Sequence, residues 1–248
     1  MKRIKLTIAY DGTKYCGWQI QPNGITVEEV LNKVISKVTG VKTTVIGASR
    51  TDSGVHAYGN VAVFDTESRI PPDRFSHALN QKLPDDIYIV QSEEVAMEFH
   101  PRYCETEKTY EYHIINTKSP MPTDRFTNYF VSYSLDIKKM REGARYLVGT
   151  HDFVSFCSAH SGVENTIRTI YSLEIIERQD KPGAIDVRIT GNGFLYNMVR
   201  IIIGTLVQVG RGFCEPEKVK EMLEAKCRTE VGVTAPAQGL FLVEIRYK

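Results

Sequence analysis

IKLTIAYDG at residues 4–12 and TVEEVLNKVISKVTG at residues 26–40 decide the fold of this chain. In the first stretch apolar and polar residues alternate up to an Asp-Gly turn signal, which predicts a half-buried strand. In the second, Thr26 and Glu29 form a capping box, apolar residues recur at helical spacing, and Gly40 marks the end of the helix. We therefore expect the chain to begin with a strand followed by a capped helix.

The rest of the first hundred residues continues this order. Strand patterns lie at residues 43–46, 61–64 and 87–90, with a short helix predicted at 74–79. The resulting β-α-β-β-α-β order is the unit that builds ferredoxin-like folds. The second half repeats it with additions: strands are predicted at 110–115, 126–133, 170–176, 185–189 and 240–247, and helices after Asp136, at 198–207 and after Glu215.

A domain boundary is predicted at residues 101–107, where polar residues separate two alternating segments. We expect an N-terminal α+β domain at residues 1–104 and a C-terminal α+β domain at residues 105–248. Both are expected to be related to the ferredoxin-like fold, with antiparallel sheets flanked by helices.

Charge and composition exclude several classes. The 31 Lys and Arg residues almost balance the 30 Asp and Glu residues, so any phosphate-binding surface must come from local sorting of charge. The most apolar run, residues 198–209, is interrupted by Arg200 and is too short to span a bilayer. The N-terminus lacks the apolar core of a signal peptide, and the five cysteines are scattered. We expect a cytoplasmic protein without disulfides or membrane association.

No cofactor and no metal are expected. The cysteines and histidines show no zinc-ligand spacing, and the two glycine-rich nucleotide-binding motifs, G-x-x-x-x-G-K and G-x-G-x-x-G, do not occur. His56, His100, His113 and His151 are expected to have packing or surface roles, because none has a partner at ligand spacing.

The segment GASRTDSGVHA at residues 47–57 holds the clearest candidate chemistry. Two glycines bracket a short polar stretch, so the backbone can turn tightly and approach a ligand closely. Arg50 and Asp52 place a fixed cation and a carboxylate inside it. By composition alone a surface turn is the simpler interpretation, because Ser, Thr, Asp and Gly are common turn residues.

Residues 50–56, RTDSGVH, resemble the catalytic motif of the tRNA pseudouridine synthase A (TruA) family, G-R-T-D-x-G-V-H. Ser49 and Ser53 stand where many members have Gly and Ala, and both are small. Five further segments resemble the family in its own order along the chain: YDGT at 10–13, YCGWQ at 15–19, KTYEY at 108–112, GFLYNMVR at 193–200 and APAQGL at 235–240.

The resemblance implies a pseudouridine synthase fold and a cofactor-free enzyme. Such enzymes break the bond between N1 of uracil and C1′ of ribose and rejoin the base through C5. The resemblance makes Asp52 the catalytic carboxylate, as nucleophile or as base on a glycal route. It also implies tRNA as the partner, modified at positions 38, 39 and 40 of the anticodon stem-loop, and a homodimer with one tRNA spanning both subunits.

The resemblance assigns roles to three further residues. Arg200 would form an ion pair with Asp52, whereas its apolar helix alone is equally compatible with an Arg that extends to solvent. Tyr110 would pack against the target uracil, although a strand that places Tyr110 and Tyr112 on one face is more typical of a core. Arg50 would replace the flipped nucleotide or simply contact a phosphate.

Other functional classes remain open at this point. A noncatalytic RNA-binding module would be expected to carry aromatic and basic RNP-like strands, which we do not find. A pseudouridine synthase acting on another RNA would share the chemistry but not the target. A structural or chaperone-like α+β protein would leave the Arg50–Asp52 loop unexplained.

Overall fold

The computed structural model describes residues 1–158 and 164–248. They form two compact units, one comprising Met1–Glu105 with Phe241–Lys248 and the other comprising Thr106–Leu240. Each unit has a mainly antiparallel sheet with one parallel pair and with helices, so the α+β prediction is confirmed. In the described part of the chain no helix is both long enough and apolar enough to cross a membrane.

The first unit has the predicted β-α-β-β-α-β order. Its elements are β1 Lys2–Tyr10, α1 Val27–Thr39, β2 Ile46–Gly47, β3 His56–Thr66, α2 Phe75–Asn80 and β4 Ile87–Val95. Strand β1 is central and pairs antiparallel with both β3 and β4. Its apolar residues Ile4, Leu6 and Ile8 are fully buried, as the alternation predicts.

Helix α1 confirms Thr26 as the N-cap and Gly40 as the end of the helix, whereas the Glu29 carboxylate bonds to Lys33 rather than completing the capping box. The Thr26 hydroxyl accepts a hydrogen bond from the Glu29 amide at 3.3 Å, and Gly40 ends the helix in the left-handed conformation with φ 75°. The residues that α1 buries, Leu31 and Ile35 among them, lie on one face of the helix.

The predicted strand at residues 43–46 was wrong in extent, because only Ile46 of that range belongs to β2. The amides that would have joined a sheet are bonded to side chains of α1 instead. The Thr43 amide donates to Ser36 Oγ at 2.9 Å, and the Val45 amide donates to Asn32 Oδ1 at 2.8 Å. The segment is therefore held against the helix rather than within the sheet.

The elements of the second unit are β5 Thr106–Asn116, β6 Tyr129–Val131, α3 Ile137–Arg145, β7 Gly149–Asp152, β8 Ile167–Glu177, β9 Ala184–Gly191, α4 Met198–Gly210 and α5 Lys218–Glu224. Four strands form an antiparallel sheet in the order β5-β9-β8-β7, and the short strand β6 is added parallel to β5. Strand β7 was not predicted, because its sequence GTHD has no apolar alternation. Strand β6 is three residues long, shorter than the range predicted at 126–133.

The last strand, β10 Leu240–Tyr247, belongs from Phe241 onward to the first unit. It pairs parallel with β3, with Phe241 opposite His56 and Leu242 opposite Ala57. The predicted division at residues 104 and 105 places this strand in the second domain. A parallel partner far away in the chain leaves no local signal that would have indicated the pairing.

Candidate active site

Asp52 lies in the loop between β2 and β3, and buried hydrogen bonds to the backbone of Ala48 and Ser49 fix the start of this loop. The Ala48 amide donates to the Val61 carbonyl at 2.7 Å. The side-chain amide of Asn60, which is fully buried, donates to the Ser49 carbonyl at 3.1 Å. Because a buried carbonyl without a donor is costly, Asn60 fixes the conformation of the loop at Ser49.

Asp52 itself is half-buried and opens a tight turn. Its carbonyl accepts from the Val55 amide at 3.1 Å, and Gly54 within the turn has φ 77°. Thr51, its buried neighbour, bonds through its hydroxyl to the hydroxyl of Tyr10 at 2.8 Å. The carboxylate is therefore carried on a backbone that is tied on both sides of it.

A second segment, residues 15–18, is clamped onto this turn. The Trp18 amide donates to the Thr51 carbonyl at 3.1 Å, and the Gly54 amide donates to the Tyr15 carbonyl at 3.3 Å. Gly17 makes the contact possible, because a Cβ at this position would lie 2.5 Å from the Thr51 carbonyl oxygen. Gly17 also has φ 80°, a backbone conformation in which residues other than glycine are strained.

The clamping segment is itself anchored through Tyr15. Its hydroxyl donates to Asp86 Oδ1 at 2.5 Å. Burial raises the pKa of Tyr15 well above its usual range, and the hydrogen bond to Asp86 raises it further. Tyr15 consequently remains a protonated donor at neutral pH.

Two further residues of the segment at residues 47–57, Arg50 and His56, differ in exposure. Arg50 is exposed at the surface of the loop. His56 is fully buried, with Nδ1 accepting from the Gly12 amide at 3.1 Å and its ring stacked on Phe241 at 4.5 Å. His56 thus has the packing role expected from the sequence.

In the second unit, Tyr110 and Tyr112 lie on the same buried face of β5 but differ in environment. The hydroxyl of Tyr112 donates to the Pro236 carbonyl at 2.7 Å, and burial raises its pKa well above the usual value. Tyr112 is therefore a structural residue. Tyr110 is 8% exposed and packs edge-on against Phe194 with ring centroids 5.2 Å apart.

Arg200 is half-buried on α4, and two of its nitrogen atoms are fixed within the unit. Nε donates to the Ala235 carbonyl at 2.8 Å, and Nη1 donates to Asn197 Oδ1 at 2.8 Å. The Ala235 amide in turn donates to the Arg200 carbonyl at 3.0 Å. The guanidinium is thus oriented by the backbone of residue 235, and it does not extend freely along an apolar surface.

Asn197 is a residue whose role the sequence did not indicate. It precedes α4 in the left-handed conformation with φ 60°, a region that Asn tolerates better than most residues. Its amide donates to Ser158 Oγ at 2.9 Å while its carbonyl oxygen accepts from Arg200. Asn197 therefore combines backbone geometry and side-chain bonding to orient Arg200. Tyr10 and Asn60 were missed in the same way, because nothing distinguishes a buried hydrogen-bonding residue in a sequence.

One polar cluster lies on the opposite face of β5. Ligand-type atoms of Glu111, His113 and Asp186 lie within 4.8 Å of one another, which the sequence did not predict. His113 Nε2 is 2.8 Å from Glu111, while Arg178, bonded to Asp180, lies 3.9 Å from Asp186. Glu111 is therefore hydrogen-bonded to the His113 imidazole and Asp186 lies beside the Arg178 guanidinium, so both carboxylates already have partners within the protein.

The comparisons with known proteins decide the family. A family model described as tRNA pseudouridine synthase matches residues 6–104 and 144–248. Three proteins named tRNA pseudouridine synthase A, from Thermoanaerobacter sp. strain X514, Acetivibrio thermocellus and Clostridium acetobutylicum, are each 49% identical over the full length of both chains. The chain belongs to the tRNA pseudouridine synthase A family.

Membership in the tRNA pseudouridine synthase A family confirms the prediction drawn from the motifs, and with it the enzyme class. Among solved structures, a crystal structure of an archaeal box H/ACA sRNP Nop10-Cbf5 complex matches at 10% identity and a TM-score of 0.33. That match covers 97% of this chain and 46% of the other, and it is too weak to describe the site.

The structure places the four predicted site residues in two units. Asp52 and Arg50 lie in the first unit, Tyr110 and Arg200 lie in the second, and their roles stay predictions.

Proposed function

We propose that this chain isomerises uridine to pseudouridine in tRNA, at positions 38, 39 and 40 of the anticodon stem-loop. The observation that carries the proposal is the clamped turn at Asp52, within the segment that resembles the family's catalytic motif. Family membership supplies the substrate class, and the resemblance supplies the positions.

The reaction is an internal rearrangement and needs no external atom or electron pair. The bond between C1′ and N1 breaks, the uracil turns, and a bond between C1′ and C5 forms. The proton lost from C5 is balanced by the proton that N1 gains. In the proposed mechanism the Asp52 carboxylate attacks C1′ as the nucleophile and leaves again when the C5 bond is made; a route through a glycal would use it as a base.

Arg200 is proposed to form an ion pair with Asp52. Support comes from its fixed orientation, since Nε and Nη1 are both held within the second unit. A guanidinium is charged at every accessible pH and presents a planar fork to a carboxylate, so it would keep Asp52 ionised and aligned.

Tyr110 is proposed to pack against the target uracil. Its ring is largely buried, and the edge-on contact with Phe194 fixes the plane of the ring. Tyr112, by contrast, uses its hydroxyl to hold the Pro236 carbonyl, so Tyr110 is the better candidate on this strand.

Arg50 is proposed to take the place of the flipped nucleotide. A base inside a stem is beyond the reach of a carboxylate, so the nucleotide has to leave the helix before chemistry. Arg50 is exposed and stands two residues from Asp52, which suits a side chain that enters the RNA while the base enters the pocket.

The oligomeric state and location belong to the same proposal. We expect a cytoplasmic homodimer, as the family resemblance implies. Sedimentation of the purified protein at micromolar concentration tests the dimer, and a strictly monomeric active enzyme would contradict it.

The test of the function is direct. Transcribed tRNAs of unrelated anticodon-arm sequence are incubated with the purified protein, and pseudouridine is mapped by carbodiimide modification and primer extension. Asp52→Asn should abolish turnover and leave tRNA binding nearly intact, because the amide keeps the size and loses the charge. Asp73→Asn, at an exposed carboxylate of the same unit, is the matched control and should retain activity. Activity of Asp52→Asn within tenfold of the unmodified protein would remove Asp52 from its role.

A further inference from the structure

Three side chains of the second unit form an exposed stack, which we call the aromatic stack: Tyr133, Arg211 and Phe213. The Arg211 guanidinium carbon lies 3.9 Å from the centre of the Tyr133 ring and 4.4 Å from the centre of the Phe213 ring. The two rings are 60% and 67% exposed. Large aromatic side chains so accessible at one place indicate a surface built for contact.

The backbone around Arg211 holds the aromatic stack rigidly. The Arg211 amide caps α4 by donating to the Val207 carbonyl at 3.0 Å, and Gly212 follows with φ 75°. The Phe213 amide reaches back to the Gln208 carbonyl at 3.1 Å. In this type of helix end the residue after the glycine usually packs against the helix, whereas Phe213 is turned out to solvent and lies over Arg211.

Tyr133 is fixed from the other side. Its carbonyl accepts from the side-chain amide of Asn116 at 2.6 Å, and the Asp136 amide a few residues later donates to the Gly210 carbonyl at 2.8 Å. The aromatic stack is therefore preorganised, so little conformational entropy would be lost when a ligand binds it.

The local charge favours an anion. Within residues 1–158 and 164–248, Arg211 has no carboxylate partner. Glu215, the carboxylate closest to it in sequence, is paired with Lys139 at 2.8 Å. The stack thus presents one positive charge between two aromatic rings.

We propose that the aromatic stack binds unpaired nucleotides of the tRNA substrate, with a base on an outer ring face and a phosphate at the edge of Arg211. Exposed aromatic rings stack on bases of any sequence, and an arginine stacked by its faces still donates hydrogen bonds from its edge. The inference rests on the proposed function and adds a substrate-binding site made of residues to which no role in the chemistry is assigned.

The test measures the dissociation constant for a full-length tRNA transcript by filter binding, together with steady-state pseudouridine formation. Stacking of one base contributes a factor of about 5 to 150 in affinity, so Phe213→Ala and Tyr133→Ala should each raise the dissociation constant within that range. The rate at saturating tRNA should change less than twofold. Tyr88→Ala removes a ring that is 59% exposed in the first unit, and it should bind tRNA as the unmodified protein does.

Arg211→Lys separates stacking from charge. Lysine keeps the charge but not the flat guanidinium, so the proposal expects weaker binding with an unchanged dependence on salt. Binding of all three variants within twofold of Tyr88→Ala would overturn the proposal. So would a shift from dimer to monomer in sedimentation of Phe213→Ala and Tyr133→Ala, because the surface would then be occupied by a second copy. The binding assay does not require turnover, so a failure of the proposed function would appear separately as absence of pseudouridine.

Discussion

Gly17→Ala tests whether the clamp on the Asp52 turn is required for catalysis. A Cβ at residue 17 would lie 2.5 Å from the Thr51 carbonyl oxygen and 3.1 Å from the Asp52 carbonyl carbon. Ordinary contact begins at 3.4 Å, so the turn has to move by about 1 Å. A displacement of that size at a reacting group costs about 100-fold in rate. The left-handed backbone adds about 1–2 kcal/mol of strain for a residue with a side chain.

Gly40→Ala is the matched control for the strain. Gly40 has φ 75°, close to the φ 80° of Gly17, but its added Cβ would meet nothing within 4 Å. Backbone strain should therefore cost each variant about 1–2 kcal/mol in thermal unfolding, and Gly17→Ala should lose more because its Cβ also meets the Thr51 carbonyl oxygen. Only Gly17→Ala should lose turnover at saturating tRNA.

The assay is the rate of pseudouridine formation under single-turnover conditions, combined with the melting temperature of each variant. Equal rates for Gly17→Ala and Gly40→Ala would refute the argument, because the clamp would then have no influence on Asp52. If both variants lost rate in proportion to their loss of stability, the argument would also be refuted, because the slower rate would then reflect general destabilisation.

Three further predictions concern charge and metal. Arg200→Met should lower turnover by at least tenfold while tRNA binding persists, as expected for removal of an oriented charge at a reacting group; an unchanged rate would contradict the proposed ion pair with Asp52. Arg3 bonds Asp65 through two nitrogen atoms and lowers its pKa, so the pair stabilises the folded state at neutral pH, and this contribution is lost as the pH falls below the usual 3.8. The unfolding free energies of the unmodified protein and of Asp65→Asn can be measured by the fluorescence of Trp18. Their difference should decrease toward zero in acid, and a difference that does not change with pH would be inconsistent with the pair. Dialysis against a chelator should leave activity on folded tRNA intact in monovalent salt, and complete loss would show that a metal is needed.

The parts of the fold that follow from local pattern were predictable. Helix α1 has its cap, its apolar face and its terminal glycine within fifteen consecutive residues, so its bounds could be assigned from the sequence. Residues 43–46, TTVI, have a strand-like composition, but the amides of Thr43 and Val45 bond to Ser36 and Asn32 on the helix. Which partner a backbone amide finds depends on the tertiary structure, and no window of sequence contains that information.

The same distinction between local pattern and tertiary structure applies to the candidate active site. The role proposed for Asp52 could be inferred because the residue lies in a motif that resembles a known family. The groups that position it could not be assigned from physical principles alone. Asn60 lies within a strand of otherwise ordinary composition, and Tyr10 ends a strand whose alternation already explained it as a core residue. Their hydrogen bonds to Ser49 and Thr51 depend on a close approach of two distant segments.

Both units position their proposed reactive group by the same physical means. In the first, Gly17 lets residues 15–18 approach the Thr51 carbonyl. In the second, a Cβ on Gly204 of α4 would lie 1.7 Å from the Val233 carbonyl oxygen, so only glycine lets residues 233–235 pack onto the helix. That packing brings the Ala235 carbonyl to the guanidinium of Arg200. Asp52 and Arg200 are thus oriented by neighbouring backbone segments, whose positions are more tightly constrained than those of flexible side chains. A reaction without cofactor or metal, as proposed here, would depend on such preorganisation, because the orientation of charge would be the main contribution that the protein makes.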